Sequence, residues 1–353
     1  MDRRTFLRAT GGVSLAAGLA GCTSLDIITG GQRVPPVLDD RPDAVYLPTH
    51  REDMGMLGMG DAGSLKAMLS YSYPHRFWNV NGTEVEKTPL DGDAHLMVTL
   101  WDPDSGVVLP RADVSLEVRQ GGSTVVGPEV LYPMLSQPMG IHYGDNFSLD
   151  GDGDYVARVQ VGGLDVRRTG AFRERFAEAT TVDVEFSYSQ SRRDNLPYEN
   201  FDDAGARRTI EPMSMPRQPS SAAPSPDALP GTVRGSASAG DVRFVVTTLD
   251  APPAGIDEEG AYLAVSARTR HNRFVLPAMG LAARLTRDGE RVFEGDLADA
   301  LHPALDYHYG AVVSDVASGD TLTLSQTVPP QTARHEGYET AFFDLPEVEV
   351  TLQ

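Results

Sequence analysis

The sequence predicts an all-β protein: two tandem antiparallel β-sandwich domains joined by a proline- and serine-rich linker. Three observations carry that prediction. Short runs alternate apolar and polar residues with period two, as in "AHLMVTLWD", "DYVARVQV", "DVRFVVTTL" and "EVEVTLQ". Turn signals such as "DPDSG", "QGG" and "DGDGD" separate the runs, and no long amphipathic helix interrupts them. The pattern also occurs twice, with matching anchors in the same order in each half.

In chain order, residues 1–22 read "MDRRTFLRATGGVSLAAGLAGC", with a twin arginine at Arg3 and Arg4, an apolar run, and "LAGC" ending at Cys22. This resembles a twin-arginine export signal joined to a lipoprotein cleavage box, an address and not part of a fold. The apolar stretch from Ala9 to Ala20 is shorter than the ~20 residues a membrane-spanning helix needs. The resemblance implies lipidation at Cys22 and anchoring to the outer face of the cell membrane. Residues 23–43 are rich in Gly, Pro and Asp and read as a flexible tether. Residues 44–189 hold the first set of strand patterns. Residues 190–236, with "EPMSMPRQPSSAAPSPDALPG", lose periodicity and read as the linker, and 237–353 hold the second set.

Composition narrows the function. A formal charge of −20 excludes a nucleic-acid partner, which requires a basic face, and argues equally against anionic lipid. Lysine occurs only at Lys66 and Lys87, all other cations being arginine; with so many carboxylates, this looks like adaptation to high salt. A single cysteine excludes an intramolecular disulfide and any multi-cysteine metal site. No phosphate loop, dinucleotide fingerprint or Gly-x-Ser-x-Gly element is present, and no spacing singles out a catalytic pair of carboxylates. The expectation is a non-enzyme. "DGDGD" lacks the glycine and glutamate of a calcium loop and reads as an acidic turn.

The halves align on each other. "AHLMVTLWDPDSGVVLP" (94–110) and "AYLAVSARTRHNRFVLP" (261–277) agree at six of seventeen positions. From Pro110 to His142 is 32 residues, from Pro277 to His308 is 31, and His-Tyr-Gly follows at both places. "RRTGAFRERF" and "RHEGYETAFF" then share an arginine, a glycine and a phenylalanine. Equal order and near-equal spacing predict an internal duplication.

Alternation puts His95, Met97 and Thr99 on one strand face, while Met134 and His142 flank the turn-like "SQPMGI". Imidazole with thioether suits copper, and histidine-rich sites also accept iron or zinc. The competing reading of the same residues is a hydrogen-bonded core histidine beside packing methionines. "YSYPHRFW" (71–78) gathers aromatics around His75, which reads as packing, with a ligand contact as the alternative.

"YPMLSQPMGIHYGDN" resembles the signature of the periplasmic iron-transport accessory proteins, copper-binding proteins with an Ig-like sandwich that work beside iron permeases. The resemblance spans residues 44–188. It implies His95, Met134 and His142 as metal ligands, copper with iron as a further metal, and an iron permease as partner. The sequence departs from the pattern at Ile141, where the motif has proline, and at Met97, where it has glutamate. It also lacks the late histidine near Arg167–Arg168. In the second half Tyr262 stands for His95, His302 lies near the place of Met134, His308 matches His142, and His335 takes the late position. Since members of this family pair, the two halves are expected to form an intrachain pseudo-dimer, in which His335 completes the site of His95, Met134 and His142. The alternative is a second half that serves only as a structural partner, or a surface module that has lost the metal altogether. Neutral imidazoles predict metal binding that weakens as pH falls through about 6.5.

Overall fold

The computed structural model describes residues 27–29, 32–34 and 37–353; the export signal and Cys22 lie outside the described residues. Ile27–Thr29 and Gln32–Val34 form a short antiparallel pair by themselves, and 37–353 form a second unit.

Alternation becomes strand wherever the sequence predicted it. The strands that position the site are, in chain order, β1 (Gly55–Ala62), β2 (Leu65–Ser72), β3 (Phe77–Asn81), β4 (Glu84–Lys87), β5 (Ala94–Trp101), β6 (Tyr132–Ser136), β7 (Gly140–Phe147), β8 (Arg167–Arg168), β9 (Thr232–Ala239), β10 (Val242–Leu249), β11 (Ala261–Thr269), β12 (Ala298–His302), β13 (Asp306–Val313) and β14 (Ala333–His335). One sheet runs β1-β2-β5-β7-β6-β14-β3-β4 and the other β8-β12-β13-β11-β10-β9. Each half adds a four-stranded sheet. In the first half it orders residues 123–130, 112–120, 153–164 and 180–188; in the second, 290–296, 280–287, 321–328 and 348–351. The protein is an all-β, sandwich-type structure, as predicted.

Strict alternation shows in Thr180–Tyr188, where every second residue is buried, as a half-solvated antiparallel strand requires. β5 is buried along its whole length and lies at the centre of its sheet. One apolar core runs from Val45 through both halves to Leu352.

Two pairings depart from the antiparallel rule, and they matter most. β8, from the first half, pairs parallel with β12 in the second sheet (Arg167↔Ala300, Arg168↔Leu301). β14, from the second half, pairs parallel with β6 in the first sheet (Met134↔Ala333, Leu135↔Arg334) and antiparallel with β3 (Arg334↔Trp78, His335↔Phe77). Each half thus lends a short strand to the other. Arg334 anchors the lent strand: fully buried, it donates to the carbonyls of Ala341 and Pro330 and stacks 4.2 Å from the Phe343 ring. Alternation along so short a strand then turns His335 to the opposite face.

The proline-rich segment 190–236 is extended, and it packs. Ile210 N–H donates to Gln137 Oε1 at 2.8 Å, and Ser221 Oγ accepts from Ile141 N–H at 3.2 Å. Arg268 of the second half donates to Pro224 O at 2.7 Å. The segment is a strap across both halves. Residues 44–49 interlock similarly: Tyr46 OH donates to Glu339 at 2.5 Å, and Val45 N–H to Asp241 at 2.7 Å.

Candidate metal centre

The His-Tyr-Gly triplet gives each residue a separate task. His142 and Gly144 share the face of β7 that turns to β5, where Asn146 lies opposite His95 and Gly144 opposite Met97. Tyr143 points the other way, into the core. Its hydroxyl donates to Leu109 O at 2.6 Å and accepts from Ala112 N–H at 2.9 Å, pinning the loop that follows β5. Gly144 supplies clearance, since a Cβ there would stand 2.8 Å from His95 Nε2. The ring of His95 lies over the glycine.

Three imidazoles meet in that space. His95 is on β5, His142 on β7 and His335 on the lent strand β14; their ligand nitrogens all lie within 4.8 Å of one another. An equilateral triangle of that side puts each corner about 2.8 Å from the centre (4.8/√3), so moves of under 1 Å would give metal–nitrogen bonds of about 2.0–2.1 Å. Among the described residues this is the one group of three or more such side chains.

Hydrogen bonds fix which nitrogen each ring offers. His142 Nδ1 lies 3.1 Å from Gly140 O; a carbonyl only accepts, so Nδ1 carries the hydrogen and Nε2 presents its lone pair. His95 Nδ1 lies 2.9 Å from Asn146 Oδ1. The same Asn146 oxygen accepts from His75 N–H at 3.0 Å, and its amide donates to His75 O at 2.8 Å, which identifies oxygen and nitrogen by their partners. The Nε2 atoms of His95, His142 and His335 are buried and have no hydrogen-bond partner. Unpaired buried polar atoms cost about 1–3 kcal/mol each, and three aimed at one point are what a cation would satisfy. The donor set fits a metal.

Electrostatics agree. Burial pushes the His142 imidazole down to about 4, and burial with the neighbouring imidazoles holds His95 and His335 well below the usual range. All three are neutral at pH 7, the ligating form. Burial thus shifts the expected pH limit of binding below the 6.5 of a free imidazole.

Met134 stands directly opposite His142 on the same sheet face, fully buried against Phe77 and Ala333. It borders the histidines as a thioether neighbour. His75, placed by the sequence in an aromatic cluster, belongs beside the site. Its ring is 4.7 Å from that of His95 and 5.2 Å from that of His335, and its Nδ1 lies 2.9 Å from Glu52 Oε2. Burial alone would raise the Glu52 carboxyl, yet His75 and His50 hold it down to about 2.

The second half repeats the registers with other residues. Tyr262 lies on β11 where His95 lies on β5, two residues from the partner of Gly310. A Cβ on Gly310 would fall 2.1 Å from the Tyr262 oxygen. Tyr262 OH is 3.0 Å from His308 Nε2, and His308 Nδ1 is 3.0 Å from Asp306 O, so both ring nitrogens are partnered. Ala300, not His302, faces His308 as Met134 faces His142. His302 instead accepts the N–H groups of Ala304 and Leu305 at 3.0 and 3.2 Å, closing the β12–β13 turn. Of the second-half histidines, only His335 joins the cluster. Tyr309 copies the core-side task of Tyr143, bonding Leu276 O and Met279 N–H at 2.7 and 2.9 Å.

A protein-family profile described as domain of unknown function (DUF7350) matches residues 227–351. No curated protein matches the chain. Among solved structures, FetP of uropathogenic Escherichia coli strain F11 is 16% identical over 39% of this chain and 97% of its own, with a TM-score of 0.30. A copper-bound variant of the same protein is 17% identical over 38% of this chain and 97% of its own, TM-score 0.30. Copper-reconstituted P19 of Campylobacter jejuni is 18% identical over 38% of this chain and 96% of its own, also at 0.30. No helix among the described residues is long and apolar enough to cross a membrane.

Proposed function

We propose that this chain is a copper-binding protein of the cell exterior, tethered through Cys22, that holds its ion at His95, His142 and His335 with Met134 beside them. The carrying observation is the set of three buried, partnerless Nε2 atoms within 4.8 Å of one another. Neutral imidazoles next to a thioether favour copper over harder ions, and iron is the second metal to test. In this reading the two halves are diverged copies of one domain, the ion serves an iron permease as an accessory, and no reaction is catalysed.

A second reading has support in one half only. The Tyr262–His308 hydrogen bond gives the second half a closed pair that needs no metal, so there the sandwich acts as a partner that lends β14.

Copper and iron titration of residues 23–353, beside a His95→Ala/His142→Ala chain and a His335→Ala chain, tests the proposal. One tight copper(II) equivalent, lost in both variants, is expected. Copper binding by the intact chain that survives His335→Ala unchanged would refute the shared site.

A further inference from the structure

The strap carries "PMSMP", and the histidine centre uses neither of its methionines, although Met215 also packs against the apolar core. Met213 and Met215 line a cavity of about 260 Å³ together with Met139, Gln218 and Phe274. The cavity is built by fixed backbone. Met213 N–H donates to Pro138 O at 2.8 Å, Ser221 Oγ donates to Met139 O at 3.3 Å, and Pro212 and Pro216 flank the two strap methionines. Met139 is buried, while Met213 and Met215 are half-buried and reachable. Three thioethers from two chain segments thus share one partly open pocket.

The pocket adjoins the site by two routes. Met139 sits in the turn between β6 and β7, three residues before His142. Gln218 Nε2 donates to Thr99 Oγ1 at 3.3 Å, and Thr99, Met97 and His95 follow one another on the same face of β5. By the strand rise, Thr99 and His95 are about 13 Å apart. Met97, almost fully buried, lies between them.

We propose that Met139, Met213 and Met215 form a thioether site for cuprous ion, separate from the histidine centre, at which copper enters the protein. Thioethers are soft, uncharged and insensitive to protons, and they select a soft monovalent ion over the divalent ions that carboxylates and waters hold. Passage to the histidines is stepwise ligand exchange: the ion keeps its electrons, each departing thioether is replaced by the next donor, and imidazole nitrogens enter last. The loading role rests on the copper reading above; the thioether site itself does not.

The test uses residues 23–353 with ¹³C-labelled methionine methyls and silver(I) as a redox-inert probe in chloride-free buffer. Three chains are compared: the native one, Met139→Leu/Met213→Leu/Met215→Leu, and His95→Ala/His142→Ala. The methyl signals missing from the triple-leucine chain should move on adding silver in the native and the histidine-variant chains alike. The triple-leucine chain should bind one silver equivalent fewer and keep its copper(II) stoichiometry. Loading from a bathocuproine–copper(I) complex should slow at least ~10-fold in it, with the same end point. Unmoved Met139, Met213 and Met215 methyls would overturn the site, and equal loading rates would overturn its role. Moving methyls in a native chain that binds no copper(II) would instead sink the histidine reading and leave the thioether site standing.

Discussion

Lowering the pH from 7 to 5 loads a specific cost onto the metal-free protein, and His142→Leu removes one defined share of it. The imidazole has a folded value of about 4 against an ordinary 6.5, because burial disfavours its charge. Between those values the unfolded chain takes up a proton that the folded chain refuses, so stability falls as pH falls. The linkage integral gives about 0.2 kcal/mol at pH 7 and about 2 kcal/mol at pH 5 for this residue. Asp306 works in the opposite sense. Burial pushes its carboxyl up to about 7, so the folded chain binds the extra proton and gains about 2 kcal/mol over the same interval. His308, also held at about 4 by burial, adds a cost like that of His142, and His95 and His335 add theirs, so the native protein alone reports a sum over several groups. The readout is therefore the difference between chains: urea denaturation of metal-free native protein and His142→Leu at pH 7 and pH 5. The variant should gain about 2 kcal/mol relative to native on going to pH 5. The lost Nδ1 bond to Gly140 O is the same at both pH values and drops out. A relative gain under about 0.5 kcal/mol would show that the ring titrates like an exposed histidine, and the case for buried, neutral ligands would fail.

Copper affinity should stay nearly level from pH 7 to 5 and fall steeply near pH 4, measured by competition titration; a break near 6.5 would contradict the burial of the rings. Gly144→Ala places a Cβ 2.8 Å from His95 Nε2 and should cost copper affinity at least ~10-fold while the chain still folds; undiminished affinity would remove His95 from the site. Asn146→Ala frees the His95 ring of its orienting acceptor and should weaken copper by about 10–100-fold, while the copper-free chain loses no more than about 1–2 kcal/mol of stability in denaturation. Tyr262→Phe strips His308 of its partner and should cost about 1 kcal/mol in denaturation without touching copper stoichiometry; loss of copper would mean that the second half binds it.

Local pattern sufficed for much of this arrangement. Period-two runs became strands, and the anchors around Pro110 and Pro277 matched His95 with Tyr262 and His142 with His308 as corresponding positions of the two halves. The contribution of His335 was foreseeable only through the pairing habit of a resembling family, because no alternation tells a two- or three-residue strand which sheet it will join. His302 illustrates register: shifted by two residues from the place facing His308, it serves a turn. His75 lay in an aromatic run, and it reaches the site because β2 ends at Ser72, the register partner of His95, and because Asn146 bonds the His75 backbone. The strap was invisible as such, since composition reports a lack of periodicity and says nothing about which of its backbone groups will be met by Gln137, Asn272 or Arg268.

The exchange of β8 and β14 makes the metal centre a record of finished folding. Its third ligand arrives on residue 335 of 353, on a strand that can dock only once β3 and β6 already stand with a gap between them. A chain cut short before that strand has two imidazoles and an open sheet, whose exposed edges invite the same strand from another molecule. A loaded ion therefore certifies that the first half has folded and that a strand carrying His335 has docked into it.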